Sequence, residues 1–306
     1  MTTNTEFKQQ EEIIPTNIEE IWLNAFVREN DSENSYIPKP WQFRMSGLAE
    51  CVRKQQYRKI CPERARPYSD EELGTFAMGR ALETAAKNAI QKKYAGFILE
   101  TPRKDGQGEV RSKFGPIELI GHYDFLTLHP ELGLKVWDCK TVKGNAWKYK
   151  LDEKTDPSKV SEGYYLQSNA YANILGISQA GYFYISKDNA MPIGVTIQVS
   201  KRVFIETQEK EANIYESILE GVMLDGNPGW SKDGKPDSSA KDEKGTTLKG
   251  KECEYCKFSH LCYDFTEKFK AGPPLTTVEF TEYVEKFREK NLKEREKELM
   301  FQNSVS

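Results

Sequence analysis

The sequence predicts a mixed α/β fold, with a central sheet flanked by helices. Segments with helical and with strand periodicity alternate along the chain in the order helix, three or four strands, helix, strand, helix, which is the order of a mixed α/β protein. The chain has 306 residues, 38% of them hydrophobic and 30% charged. This length and composition suit a soluble protein with a substantial core and much charged surface, in one large domain or two small ones.

The overall charge and the N-terminal sequence exclude several classes of protein. The formal net charge is −3, so a nucleic acid would have to be bound by local basic patches rather than by the whole surface. The sequence has no apolar run of the ~18 residues that a membrane span needs. Its start, MTTNTEFKQQEE, lacks the basic and apolar regions of a secretory signal. We therefore expect a cytoplasmic protein with no membrane partner.

Two helices are predicted in the first third of the chain, after a polar arm at residues 1–15. The run SGLAECVRKQQYRKI, residues 46–60, has a serine at its first position as the N-cap. The run SDEELGTFAMGRALETAAKNAIQKKY, residues 69–94, begins with a capping box of Ser69 and Glu72. Apolar residues at helical spacing follow the box, so this is the clearest helix of the sequence.

Strand patterns follow, and strands and helices then alternate. The best strand patterns are IELIGHYDFLTL, residues 117–128, and LKVWDCKTV, residues 134–142, and the Pro and Gly of the intervening HPELG predict a hairpin loop. The further expected elements are strands near 97–101 and 107–113, a helix over 161–175 closed by Gly176, strands over 180–186 and 193–199, and a helix over 202–224. A polar loop, 225–250, then leads to the C-terminal cysteines, and from Thr277 the chain reads as a highly charged helix with thin apolar content.

Acidic residues converge on one face of the predicted hairpin. Side chains alternate along a strand, so Asp138 and Lys140 project from the same side of the second strand. The hairpin can place Asp124 beside Asp138, and two carboxylates at close range repel each other unless a cation lies between them. Glu83, in the middle of the clearest helix, is available as a third carboxylate. Oxygen ligands of this kind suit Mg²⁺ or Mn²⁺.

The order of these residues resembles the motif of the PD-(D/E)xK nuclease superfamily, and within it the RecB-type branch. That motif is a helical Glu or His, then an Asp, then Asp/Glu-x-Lys, then a Gln-x-x-x-Tyr helix. The matching residues are Glu83, Asp124, Asp138 with Lys140, and Gln167 with Tyr171, within a resemblance that covers roughly residues 46–265. The four-residue spacing places Gln167 and Tyr171 on one helix face, from which they would position the DNA strand. The resemblance implies a restriction-endonuclease-like core with a mixed central sheet flanked by helices.

Three of the six cysteines lie close together in CEYCKFSHLC, residues 253–262. Thiols of a cytoplasmic protein stay reduced, so metal ligation or burial is expected before disulfides. RecB-type nucleases with an iron–sulfur cluster, among them the CRISPR-associated exonucleases, have similar C-terminal cysteines and one more far upstream. The ligands of a 4Fe–4S cluster that this resemblance implies are Cys51, Cys253, Cys256 and Cys262.

Alternatives to this ligand set stay open. The same four thiolates can hold zinc, and His260 can replace one of them. Cys61 competes with Cys51 as the upstream ligand, although the residues around Cys51 fit the family pattern better. Cys139 is expected to be a buried thiol on the back of the Asp138 strand. The implied domain organisation is a nuclease domain over 16–270, with an iron–sulfur subdomain formed by 46–62 and 249–265, and a charged helical tail over 271–306.

The resemblance implies hydrolysis of DNA phosphodiester bonds, most often by an exonuclease that acts on DNA ends or single strands. The expected ligands of Mg²⁺ or Mn²⁺ are the carboxylates of Glu83, Asp124 and Asp138 and the backbone carbonyl of Cys139. Lys140 would orient or help deprotonate the attacking water. The basic groups expected to contact phosphates are those of residues 53–59, Arg80, Lys87 and Lys143.

The biological process stays open among recombination, replication, repair and CRISPR adaptation. Glu83 stands where CRISPR-associated members usually carry a histidine, and a glutamate there resembles the phage lambda-type exonuclease branch. The candidate partners are therefore a helicase, an annealing protein or a CRISPR adaptation protein. The alternative is a non-catalytic DNA-binding or assembly module that kept the fold and the cluster, and the complete acidic set together with Lys140 argues against it.

Overall fold

The structure is a computed structural model. The residues it describes are 18–28, 39–94, 96–99, 107–144, 146–224, 229–230, 236–237, 256–262 and 275–305. The expected polar arm, most of the loop over 225–250, and Cys253 lie outside these residues. The chain divides into a small unit, with the described residues 18–28 and 68–81, and a large unit, with residues 39–67 and the described residues from Leu82 onward.

Helices and strands alternate along the described chain, which confirms the predicted mixed α/β class. The helices are α1 (Ile18–Trp22), α2 (Val52–Ile60), α3 (Asp70–Lys93), α4 (Ala146–Thr155), α5 (Glu162–Leu175), α6 (Lys201–Glu220), α7 (Ser259–Cys262) and α8 (Thr277–Val305). Helix α2 starts later than expected, because Cys51 is its N-cap and residues 45–47 form a 3₁₀ turn. Helix α4 is an element that the sequence patterns did not indicate.

The small unit contains α1, a π-helical turn over Leu23–Arg28, and the first half of α3. The rings of Trp22 and Phe26 stack with their centroids 4.5 Å apart. The predicted capping box is present, since the Ser69 N–H donates to Glu72 Oε2 at 2.9 Å and the Glu72 N–H donates to Ser69 Oγ at 3.2 Å. These two bonds satisfy donors that the start of a helix otherwise leaves unpaired.

The large unit is built on a five-stranded sheet. Its strands, in spatial order, are β2 (Ile98–Leu99), β5 (Phe125–His129), β6 (Gly133–Val142), β7 (Gln179–Ser186) and β8 (Pro192–Gln198). Strands β6 and β7 pair in parallel, and the other neighbours pair antiparallel. A parallel pair needs a long crossover connection, which α4 and α5 provide. The sheet is therefore mixed.

A second sheet has three strands, in the order β1 (Gln42–Arg44), β4 (Ile117–Tyr123) and β3 (Gly108–Phe114). A two-residue pair, β9 (Gly229–Trp230) and β10 (Pro236–Asp237), completes the described strands. The single strand predicted over 117–128 is thus divided, because the chain bends at Asp124 and passes from one sheet to the other. The hairpin of β5 and β6 is present as predicted.

Helices cover both faces of the five-stranded sheet in the large unit. Helix α5 packs on β6 and β7, where Tyr171, Tyr182 and Tyr184 are completely buried. On the other face, Ala86 and Ile90 of α3 pack against a small apolar cluster that includes Phe125 and the buried Cys139. Helix α5 ends at Gly176, whose positive φ of 67° is the left-handed conformation that glycine adopts most easily.

The C-terminal helix α8 corrects one expectation. The sequence predicted a charged helical tail with thin apolar content, yet Phe280, Val284 and Phe287 are each at most 3% exposed and belong to the main core cluster. Arg288 Nε also donates to the Leu219 carbonyl at 2.8 Å. Few apolar residues suffice, because the three lie on one face of the helix at i, i+4 and i+7. None of the described helices is both long and apolar enough to cross a membrane.

Candidate active site

Strand β6 carries Asp138 and Lys140 on the same face, as strand alternation predicts. Asp138 is paired in register with Tyr182 on β7, and Lys140 is paired with Tyr184. Asp138 is 2% exposed, and its Oδ2 lies 2.5 Å from the Lys140 ammonium, which remains 26% exposed. The sheet thus holds a buried carboxylate and a partly open ammonium side by side.

Asp124 lies at the bend between β4 and β5 and continues the pairing with β6 through its own groups. Its backbone N–H donates to the Trp137 carbonyl at 3.2 Å, and its Oδ2 accepts the Cys139 N–H at 2.5 Å. Gln107 Nε2 donates to Oδ1 at 2.7 Å. Both oxygens of a carboxylate that is only 4% exposed are therefore fixed in direction.

Glu83 meets Asp124 from helix α3. The two side-chain carboxyl groups lie within hydrogen-bonding reach of each other, and the charge of Asp138 also acts on Glu83. A hydrogen bond between two carboxyl groups requires a proton on one of them, because two carboxylates are both acceptors. One turn further along α3, Lys87 Nζ donates to the Asp124 backbone carbonyl at 2.9 Å. The helix is thereby attached to the bend at two points.

Burial and mutual repulsion make these carboxyl groups hard to ionise. Burial is the main cause that raises the pKa of Asp124 to about 7, and the negative charge of Glu83 adds to it. Burial likewise raises the pKa of Asp138 to about 6 against the opposing effect of Lys140, and burial raises the pKa of Glu83. For Lys140, burial lowers the pKa, but Asp138 and Asp124 outweigh it and the ammonium stays charged. Carboxyl oxygens are the ligands that a divalent cation prefers, and its charge would replace the shared proton. In the described part of the chain, however, no three such groups are already arranged as a metal site.

Gln167 and Tyr171 lie beneath this site on helix α5. Gln167 Nε2 donates to Asp138 Oδ1 at 3.1 Å and to the Tyr171 hydroxyl at 2.7 Å. The Tyr171 hydroxyl donates to the His122 carbonyl at 2.8 Å. Both side chains are buried, so in this structure they link Asp138 to the end of β4.

A glycine is required at position 121, three residues before Asp124, because there is no room for a side chain. A Cβ at this position would lie 2.5 Å from Cε1 of Tyr171 and 2.7 Å from Sδ of Met45, which is closer than side-chain atoms pack. Strand β4 therefore has no side chain at the position where the Tyr171 ring packs against it. Gln107, Lys87 and Gly121 therefore support the site, and Lys87, which was expected to contact phosphates, does so through the Asp124 carbonyl.

Cys139 lies behind the site, and its thiol is buried in the cluster with Phe125. The pairing of β5 with β6 ends at Trp137, so beyond that residue the same edge of β6 faces the Asp124 side chain. In a strand, the N–H and C=O of one residue point to the same edge. The Cys139 carbonyl is thus directed toward the edge where its N–H meets Asp124.

The structure brings the two cysteine regions together. Residues 256–262 pack on α2, where the Tyr57 and Phe258 rings lie 6.2 Å apart. Beyond the end of α2, the Arg66 N–H donates to the Lys257 carbonyl at 3.0 Å. Burial raises the pKa of Cys262 to about 11, and charge on Cys256 and Cys51 acts in the same direction. The charges that act on the Cys61 thiol are instead those of Glu63 and Arg64. The thiols of Cys51, Cys256 and Cys262 therefore interact electrostatically.

The other candidates for this cysteine site are buried in their own contacts. Burial raises the pKa of the Cys61 thiol to about 12, and the nearest charges are Glu63 and Arg64. His260 is buried and hydrogen bonds to the Arg64 backbone. Within the described residues, no group of three or more His, Cys, Asp or Glu side chains is arranged to hold a metal ion. Cys253, the fourth expected ligand, lies outside them.

Most of the basic residues expected to contact phosphates have structural contacts instead. Arg53 Nε donates to the Leu224 carbonyl at 2.9 Å, Arg58 pairs with Glu50 at 2.6 Å, and Lys59 donates to backbone carbonyls. Helix α2 therefore faces the interior with much of its basic side. Lys143 is exposed directly after β6.

Comparison with known proteins agrees with this geometry. A family model described as the PD-(D/E)XK nuclease superfamily matches residues 2–263. A search of curated proteins found no significant match.

Three solved structures show a weaker likeness. SSO0001 is 12% identical, with a TM-score of 0.48 over 79% of this chain and 94% of its own. An alkaline exonuclease from Laribacter hongkongensis is 14% identical, with a TM-score of 0.41 over 66% of this chain and 92% of its own. A phage-related exonuclease from Haemophilus somnus 129PT is 12% identical, with a TM-score of 0.43 over 61% of this chain and 95% of its own.

Proposed function

This chain belongs to the PD-(D/E)XK nuclease superfamily, and we propose that it is a metal-dependent deoxyribonuclease. One observation carries the proposal: the Glu83 and Asp124 carboxyl groups lie within hydrogen-bonding reach of each other beside the ion pair of Asp138 and Lys140. Asp124 and Asp138 are buried and Glu83 is half-buried beside them. A fold that only needed packing would avoid this arrangement, because burying carboxyl groups together costs free energy.

The residues that would hold Mg²⁺ or Mn²⁺ are Glu83, Asp124 and Asp138, together with the Cys139 carbonyl. When bound, such an ion lowers the pKa of a coordinated water and offsets charge on the scissile phosphate. Gln107 and the Cys139 N–H fix the direction of Asp124, and Gln167 fixes that of Asp138. These bonds restrict the two aspartates before any ligand arrives, which reduces the cost of reorganising them during reaction.

Lys140 is the residue of this chain that would place a positive charge at the site, in addition to the charge of a metal ion. Its ammonium lies against Asp138 and stays protonated, so it would orient the attacking water and offset charge that develops on the phosphate. A hydrogen-bond donor with a fixed charge suits that role better than a proton acceptor. We therefore assign Lys140 to transition-state stabilisation, and Gln167 with Tyr171 to positioning of Asp138.

The substrate that we propose is DNA with a free end or a single-stranded segment. The support is the motif order of the RecB-type branch, in which Glu83 takes the place that a glutamate has in phage-type exonucleases. We propose recombination, replication, repair or CRISPR adaptation as the process, with a helicase, an annealing protein or a CRISPR adaptation protein as candidate partner. A cytoplasmic location would suit the five described cysteines, which are all free thiols.

We also propose that Cys51, Cys253, Cys256 and Cys262 hold a 4Fe–4S cluster, with zinc as the alternative. The support is the packing of residues 256–262 on α2, which Cys51 directly precedes, and the electrostatic interaction of Cys51, Cys256 and Cys262, which lie up to 211 residues apart in sequence. Four thiolates would satisfy either metal. Joining residues 46–62 to 249–265 would stabilise the fold by closing a long loop.

The decisive test uses the purified full-length protein and three substrates: end-labelled linear duplex, single-stranded DNA and covalently closed circular DNA. Linear and single-stranded DNA should be degraded in Mg²⁺ or Mn²⁺ and preserved in EDTA, while the circular DNA persists. Asp138→Asn is the control for contaminating nuclease. Binding of DNA without cleavage in either metal would favour the non-catalytic alternative.

A further inference from the structure

An aromatic ring lies close to the Lys140 ammonium. The Lys140 ammonium is 5.5 Å from the centroid of the Tyr164 ring, within the range of a cation–π contact. That ring packs on two completely buried tyrosines, with centroids 5.4 Å from Tyr182 and 6.3 Å from Tyr184. Tyr164 is thus held firmly on the sheet that carries the site.

A second lysine and a buried glutamate complete this cluster. The Lys150 ammonium lies 5.3 Å from the Tyr164 ring and 4.7 Å from the Tyr184 ring. It pairs with Glu153 at 2.5 Å, and the Tyr184 hydroxyl donates to the other Glu153 oxygen at 2.7 Å. Glu153 therefore balances Lys150, so that a second ammonium beside Tyr164 repels Lys140 less than an unpaired one would.

Lys140 needs a second support if the proposed function holds. In this structure its charge is compensated by Asp138 Oδ2. A cation bound by Asp138 would draw on the same carboxylate and weaken that ion pair. Lysine has a long and flexible side chain, so its ammonium would then lose its position unless another group held it.

We propose that Tyr164 is a positioning residue for Lys140, whose ammonium its ring holds at the site when Asp138 is engaged by a metal ion. The inference rests on the proposed function. Tyr164 lies one turn before Gln167 on α5, outside the Gln-x-x-x-Tyr motif. The ring is the active part, so its hydroxyl is dispensable.

The first test measures Lys140 directly and does not depend on activity. The full-length protein in Mg²⁺ is treated with formaldehyde and a borohydride, and dimethylation of the Lys140 peptide is followed by mass spectrometry. Tyr164→Leu should raise the rate at Lys140 about fivefold, because the freed ammonium is more accessible. Tyr164→Phe keeps the ring and should stay within about twofold of the parent. Tyr165→Leu, a neighbour on the same helix, is the matched control for lost packing.

The second test is kinetic. Tyr164→Leu should lower kcat about tenfold with KM nearly unchanged, because the ring acts on a group needed in the transition state. Tyr164→Phe should restore the rate. An unchanged labelling rate in Tyr164→Leu, an equal change in Tyr165→Leu, or a loss in Tyr164→Phe would each overturn the inference. If the parent protein cuts no DNA, the proposed function fails, and the labelling rate still decides the role of Tyr164.

Discussion

The carboxylate of Asp124 accepts the backbone N–H of Cys139 at 2.5 Å, across the edge of β6 that β5 leaves unpaired. The Asp124 side chain thus accepts a hydrogen bond at the position where backbone pairing between β5 and β6 has ended. The bond fixes Asp124 relative to Asp138, which directly precedes Cys139, so the two carboxylates keep a constant relationship. Substitutions that change only a few atoms of this site should therefore have large effects on its activity.

Substitutions of the aspartates and of Lys140 should all abolish cleavage but should differ in their effect on metal binding. Asp124→Asn, Asp138→Asn and Lys140→Met should each lower cleavage by at least about a thousandfold, since each removes a group the reaction needs. The aspartate variants should lose Mn²⁺ binding, and Lys140→Met should retain it, as measured by Mn²⁺ titration in an electron paramagnetic resonance assay. Undiminished cleavage by Asp138→Asn would contradict the proposed mechanism.

Gly121→Ala should disturb the site through Tyr171. The new methyl would lie 2.5 Å from the Tyr171 ring, so the ring must move and take Gln167 with it. We expect a loss of about 1–3 kcal/mol in the free energy of unfolding and a lower kcat. The control is Gly163→Ala, whose new methyl would lie 3.4 Å from Ala49 and should be tolerated. Equal stability and activity of the two variants would disprove the steric argument.

Deletion of α8 should unfold the protein, contrary to what its composition suggests. A chain ending at Thr276 loses Phe280, Val284 and Phe287 from the core, which should cost about 5 kcal/mol or more, comparable to the whole stability of a domain. Soluble yield and the melting temperature measure it. A chain ending at Glu298 is the control, because the removed Leu299, Met300 and Phe301 are 59–70% exposed. Full stability of the shorter chain would contradict the packing seen here.

The cysteines should divide into ligands and buried thiols. Cys51→Ser and Cys262→Ser should lose bound metal, whereas Cys61→Ser and Cys139→Ser should retain it. Metal content by mass spectrometry and an absorbance band near ~400 nm identify a 4Fe–4S cluster. Colourless protein with one zinc per chain would reject iron and keep the ligands. Loss of metal from Cys61→Ser would instead show that Cys61, and not Cys51, is the upstream ligand.

Stability should depend on pH through Glu211 on α6. This side chain is completely buried, and burial raises its pKa from 4.5 to about 7, while Lys210 opposes the shift. A group with a raised pKa in the folded state contributes stability below pH 4.5 that is lost as pH rises to about 7, here about 3 kcal/mol.

Glu211→Gln should remove that dependence. The difference between the unfolding free energies of the parent and the variant, measured by urea titration in EDTA, should fall between pH 4.5 and 7. The exposed Glu209→Gln is the control on the same helix. A constant difference across this pH range would show that Glu211 ionises normally.

The sequence by itself determined the order of the motif and the class of the fold. The alternation in LKVWDCKTV places Asp138 and Lys140 on one face, and the spacing of Gln167 and Tyr171 places both on one side of a helix, because these periods follow from local backbone geometry. The capping box at Ser69 and the stop at Gly176 are local in the same sense.

Only the tertiary structure decided which groups meet. The bend at Asp124, the approach of Glu83 from α3 and the support by Gln107 and Lys87 join residues far apart in sequence, and no local pattern encodes such contacts. The packing of α8 was missed for a related reason. Three apolar residues among many charged ones give a weak pattern, yet they bury fully when a complementary surface is present, since burial depends on the partner surface as much as on the helix itself.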